Sequence, residues 1–108
     1  MPNSTDGKRR YPRKIAAWPA WVKFHRSARY LKGKTRNVSR GGAYITLPLD
    51  ETPIAGEPVD FILGIPRDGD AEGEYAIQTV NGEALIVRVE VGPDGGIALR
   101  FVTEADIL

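Results

Sequence analysis

With 108 residues the chain can enclose one hydrophobic core but not two. It has no cysteine, which excludes a disulfide framework and thiolate chemistry, while twelve glycines and eight prolines favour short strands and turns over long helices. The net charge of +1 hides a split: residues 1–40 carry a balance of +11 and residues 41–108 a balance of −10, so the basic end is the place for an anion.

Residues 1–14 are polar and basic, with Pro2, Gly7 and Pro12, and are expected to form a flexible arm ahead of a domain spanning residues 15–108. Trp18, Trp21, Val22 and Phe24 mark a first strand, its early part confined by Pro19 to an edge or a bulge. Ala28 to Arg36 read as a second strand containing Gly33. Residues 37–42, Asn-Val-Ser-Arg-Gly-Gly, have the composition of a turn. Ala43, Ile45 and Leu47 alternate with Tyr44 and Thr46 as a half-buried strand, and Pro48 to Gly56 form a loop.

Val59, Phe61 and Leu63 repeat the alternation, and the acidic stretch from Pro66 to Gly73 is an exposed connection. Tyr75–Val80 and Ala84–Val91 look like one strand interrupted at Asn81-Gly82 by a bulge or by a hairpin turn. Leu85, Val87, Val89 and Val91 would share its buried face. Asp94-Gly95 signals a hairpin, after which Ile97, Leu99 and Phe101 point inward. Thr103 could cap a last helical turn. About six short strands joined by turns predict an all-β fold, a small antiparallel barrel whose closure removes exposed edges.

Catalysis lacks its ingredients. His25 is the only histidine, and no nucleophile is supplied with both a base and an orienting partner. A zinc site would need several His or Cys ligands. The acids of the second half read as solvating charge. No apolar run is long enough to span a bilayer, and no signal-like segment follows the basic start, so a cytoplasmic protein without membrane insertion is expected.

Two groups of residues could hold a ligand. Arg9-Arg10-Tyr11-Pro12-Arg13 presents planar forks of donors suited to phosphate oxygens and the O6/N7 edge of guanine; it also reads as a solvated basic tail. Asn37-Val38-Ser39-Arg40-Gly41-Gly42 offers side-chain hydrogen bonds that could serve a ligand or the turn's own backbone, with glycines that permit positive φ and close approach.

Taken in order, an Arg-x-x-x-Arg at Arg9–Arg13 and an Asn-x-Ser-x-x-Gly at Asn37–Gly42 resemble the paired motifs of the PilZ domain family. Val22 with Phe24, Leu85 to Glu90, and Gly96 to Phe101 are similar to that family's first, penultimate and closing strands, so the resemblance covers about residues 8 to 102. It implies a six-stranded barrel that binds the bacterial second messenger cyclic di-GMP, with no cofactor beyond that ligand. It further implies that Arg9 and Arg13 hold phosphate and a guanine edge, that Asn37 and Ser39 hydrogen-bond a guanine, and that Gly42 lets the base lie near the backbone. Arg10 and Arg40 would assist.

Asn37 stands where the family usually has Asp; an amide can still accept from a guanine N–H. Lys8 stands just before the first arginine; members of the family differ in whether they hold one ligand or a stacked pair. The signal would be ordering of the arm on binding, read by a downstream protein partner. Two other classes compete. A small barrel with Trp18, Trp21, Tyr11 and Tyr30 could stack single-stranded nucleic acid, against which the acidic second half argues. An interaction adaptor could keep the fold and lose the ligand, but this chain retains both arginines.

Overall fold

The computed structural model describes residues 12–49, 52–68 and 75–105. They form seven antiparallel strands: β1 (Lys14–Ile15), β2 (Pro19–Phe24), β3 (Leu31–Ser39), β4 (Gly42–Thr46), β5 (Pro58–Asp68), β6 (Tyr75–Glu90) and β7 (Gly96–Phe101). The sheet runs β1-β3-β2-β5-β6-β7-β4, and β4 also pairs with β3. Six strands therefore close into a barrel, as the turn-rich sequence predicts. The two residues of β1 lie outside it, against β3.

The core follows from the period of two along each strand. Ala20, Val22 and Phe24 point inward from β2, Ala43 and Ile45 from β4, Val59, Phe61, Leu63 and Ile65 from β5, and Ile97, Leu99 and Phe101 from β7. The rings of Phe61 and Phe101 stack with centroids 4.5 Å apart. Gly82 lies beside this stack: a Cβ there would meet the Phe61 ring at 3.3 Å. Trp18 belongs to the core, whereas Trp21 is half-exposed with the Lys32 ammonium 5.8 Å from its ring centre.

Several sequence expectations shift. Asn37 and Ser39 lie on β3 rather than in a turn, which is reduced to Arg40 and Gly41. The positive-φ glycines among the described residues are Gly56 and Gly92, so neither Gly41 nor Gly42 uses that freedom. Nothing interrupts β6 at Asn81-Gly82, because its register with β5 is unbroken from Leu85 opposite Pro58 to Tyr75 opposite Asp68. The irregularity falls instead against β7, between Ile86 and Arg88. Ala84 and Ile86 point inward, Val87 is the extra, half-exposed residue, and Val89 returns to the core side. The run Leu85–Val91 thus does not share one buried face. Past Phe101 the described residues form no helical turn at Thr103; the chain bends, and the Ala105 amide donates to the Arg40 carbonyl at 2.9 Å.

Among the described residues, Thr35 is the one buried polar residue of the core wall. Its hydroxyl donates to the Ala16 carbonyl and accepts from the Trp18 amide (2.9 Å), while its own amide donates to the Trp18 carbonyl (2.9 Å). This stitches the segment between β1 and β2 to β3. Thr35→Val keeps the shape but orphans a buried amide and a carbonyl. It should cost about 1–3 kcal/mol in urea unfolding, and an unchanged midpoint would show that the stitch contributes nothing.

Candidate functional site

The site grows out of a break in strand phase. In β3, Thr35 pairs with Ile45 and Asn37 with Tyr44, leaving Arg36 as the extra residue of a bulge. Thr35 is buried inward, and without the bulge Asn37, two residues on, would face inward too. With it, Arg36 and Asn37 both reach the outer wall, Val38 returns to the core, and Ser39 is outward again. The β6 bulge does the same for Arg88. The two bulges lie on one transverse row of the outer surface, Ile15–Asn37–Tyr44–Ala98–Arg88. The adjacent row runs Ser39–Gly42–Arg100–Leu85.

β1 brings the arm's end to this wall. Lys14 pairs with Val38 and Ile15 with Asn37, so continuing the register places the backbone of Arg13 beside Ser39. Arg13 is solvent-exposed. Neither its side chain nor that of Asn37 has a hydrogen-bond or ion-pair partner among the described residues. The Ser39 hydroxyl accepts from the Gly41 amide (3.2 Å) and approaches the Gly42 carbonyl at 3.5 Å, closing the turn. Arg40 faces Glu104 at 3.5 Å. Gly42 is half-buried where a Cβ would come within 2.1 Å of the Leu99 carbonyl oxygen on β7. Arg9 and Arg10 lie outside the described residues.

Residues not singled out from the sequence complete the face. Tyr44 is buried on the outer wall beneath two guanidiniums, Arg36 at 5.6 Å and Arg88 at 5.8 Å from its ring centre. Its hydroxyl donates to Glu90 (3.0 Å), which also accepts from Arg88 Nε (3.0 Å). Alternation on β7 already exposes Arg100 between Leu99 and Phe101, a readable signal; the phase break in β6 hides Arg88. Burial, then the hydrogen bond to the Glu90 carboxylate and its charge, push the Tyr44 hydroxyl above the ordinary tyrosine value against the pull of Arg36 and Arg88. The folded state therefore favours the protonated phenol. That contribution is complete below the unfolded value and is lost as pH rises toward the folded one. Of the four tyrosines, one should ionise late in an ultraviolet titration, and Glu90→Gln should bring it earlier; an unmoved titration would disprove the coupling.

His25 sits at the end of β2, its Nε2 3.2 Å from Asp60 and 3.6 Å from Glu83, with all three side chains open to solvent. The group reads as surface charge, as the lone histidine suggests. No helix among the described residues is long and apolar enough to cross a membrane.

The structure is a closed six-stranded barrel whose outer wall carries a cationic, polar stretch. The sequence profile of the PilZ domain matches residues 7–107, and the chain belongs to the PilZ domain family. Among solved structures it is similar to the inhibitor of motility of Bacillus subtilis, MotI/DgrA, with a TM-score of 0.72 and 19% identity over 92% of this chain. The chain spans 44% of that protein's length. It is also similar to the PilZ domain of CeSA from a cellulose-synthesizing bacterium, with a TM-score of 0.61 and 22% identity, covering 86% of this chain and 83% of the other. At these identities the likeness establishes the fold. No curated protein matches the chain.

Proposed function

We propose that the chain is a receptor for cyclic di-GMP, holding it on the outer wall formed by β1, β3, β4 and β7. Arg9 and Arg13 would take phosphate and a guanine edge, Asn37 and Ser39 would hydrogen-bond a guanine, and Gly42 would leave room for the base. Arg10 and Arg40 assist at the margins. The observation that supports this reading is the register of β1, which carries Arg13 alongside Ser39 and one row from Asn37. Arginine and asparagine without partners among the described residues suit a ligand with two phosphates and two guanines.

Charge-assisted contacts of about 1.5–3 kcal/mol each, set against about 1–2 kcal/mol for each backbone residue ordered, are compatible with micromolar binding or somewhat better. Ordering of the arm over the barrel on binding would be the signal, passed to a protein partner. Single-stranded nucleic acid suits this wall less well, because Trp18 is committed to the core and Tyr44 is covered. Calorimetric titration of cyclic di-GMP, with amide NMR shifts clustered at Asn37–Tyr44 and Arg100, is the expected result. Absence of both heat and shifts at millimolar ligand would overturn the reading.

A further inference from the structure

The β5–β6 hairpin is longer than the barrel needs. β5 pairs with β2 only through Leu63, opposite Ala20. β6 pairs with β7 only from Ala84, opposite Phe101. Beyond those points, among the described residues, the two strands pair with each other alone, down to Asp68 opposite Tyr75. Each therefore has an open edge of backbone donors and acceptors, the feature that invites another strand to add.

The two edges are treated differently. On β5 the open stretch contains Pro66, which lacks an amide donor, followed by Arg67 and Asp68. Proline and charge are the usual guards against strand addition. On β6 the open stretch is Tyr75-Ala-Ile-Gln-Thr-Val-Asn-Gly82, without a charge or a proline. Ile77, Gln78 and Thr79 are exposed, and β-branched residues suit the run to a strand. Residues 102–105 do not cover it. Val102 donates to the Glu83 carbonyl, and the backbone then turns toward Arg40. Between this edge and residues 102–105 lies an open cleft, lined in part by Val80, Gly82, Val102 and Ala105.

We propose that the β6 edge from Ala76 to Gly82 is a self-association surface, pairing antiparallel with the same segment of a second copy about a two-fold axis at Thr79. A two-fold pairing sets each residue of the run against another from the same run, so any charge in it would meet its like or an apolar neighbour. The seven residues from Ala76 to Gly82 carry no charge, as such a pairing requires. It aligns Ile77 with Asn81 of the partner subunit, and Gln78 with the partner's Val80, on matching faces. The inference rests on the open strand edge and not on ligand binding.

Analytical ultracentrifugation of the full chain from micromolar to millimolar concentration should show a reversible monomer–dimer equilibrium. Thr79→Lys sets two like-charged side chains directly opposite each other, their Cβ atoms about 5 Å apart across the axis, and should raise the dissociation constant at least tenfold; Thr79→Val should not weaken it. Hydrogen exchange of the wild type provides a readout independent of any variant: amides of residues 77–82 should gain protection as concentration rises. A monomer throughout, a dimer indifferent to Thr79→Lys, or exchange at 77–82 independent of concentration would each overturn the proposal.

Discussion

Arg13→Ala should weaken cyclic di-GMP binding by about ten- to a hundredfold while leaving the unfolding midpoint unchanged. The magnitude follows from the loss of about 1.5–3 kcal/mol for a charge-assisted bidentate contact, at about 1.4 kcal/mol per decade of affinity. Stability should not move, because Arg13 is exposed and packs against nothing in the core. Arg13→Lys keeps the charge but loses the planar fork, and should recover only part of the binding. Arg9→Ala should cost as much as Arg13→Ala. Asn37→Ala, which removes neutral hydrogen bonds of about 0.5–1.5 kcal/mol, should cost less. Calorimetry at one fixed salt concentration orders the four variants. Wild-type affinity in both alanine variants of the arginines would remove the arm from the site.

The second large effect is on folding. Gly42→Ala should destabilise the barrel by about 1–3 kcal/mol, at the upper end of what overpacking costs, because its Cβ would overlap the Leu99 carbonyl oxygen at 2.1 Å. The obstacle is backbone, which has no rotamer to escape into. The position matters doubly, since β4 is the strand that joins β7 to β3 and closes the cylinder. For a domain of this size each kcal/mol corresponds to roughly 4–8 °C in melting temperature. Thermal unfolding followed by circular dichroism reads it, and an unshifted melting temperature would mean that β4 and β7 can part at no cost. Measuring ligand affinity on the folded variant separates Gly42's place in the wall from any role toward a base.

How far these residues could be read from the sequence depends on where alternation holds. The inward sets of β2, β5 and β7 obey a strict period of two, so Val22, Phe24, Phe61, Leu63, Leu99 and Phe101 were all legible as core. Closure was legible from turn spacing, because a six-stranded antiparallel sheet this short has few other ways to cover its edges. What alternation cannot show is a bulge. Leu85, Val87, Val89 and Val91 look like one face until the register against β7 slips at Val87. The composition of residues 37–42 suggested a turn, yet the ladder of β3 with β4 extends through Ser39, whose hydroxyl shortens the reversal to Arg40 and Gly41.

The site shows the same division. The chemistry of Arg13, Asn37 and Ser39 was readable from residue type and order. Their juxtaposition was not, because it depends on two residues, Lys14 and Ile15, that carry no strand pattern of their own. The Arg36–Tyr44–Arg88 stack was invisible for the reason given above: a break in phase moves each arginine onto the outer wall.

Pairing of Lys14 and Ile15 with β3 also fixes a leash. Arg13 is only four positions beyond Arg9, and four residues at full stretch span about 14 Å. Whatever Arg9 grasps must therefore lie within that radius plus the reach of one guanidinium, measured from the point where β1 pairs with β3. Such a tether rules on size before chemistry is consulted: a compact ring bearing two phosphates falls inside its circle, and a strand that runs on in both directions can offer it only one short stretch.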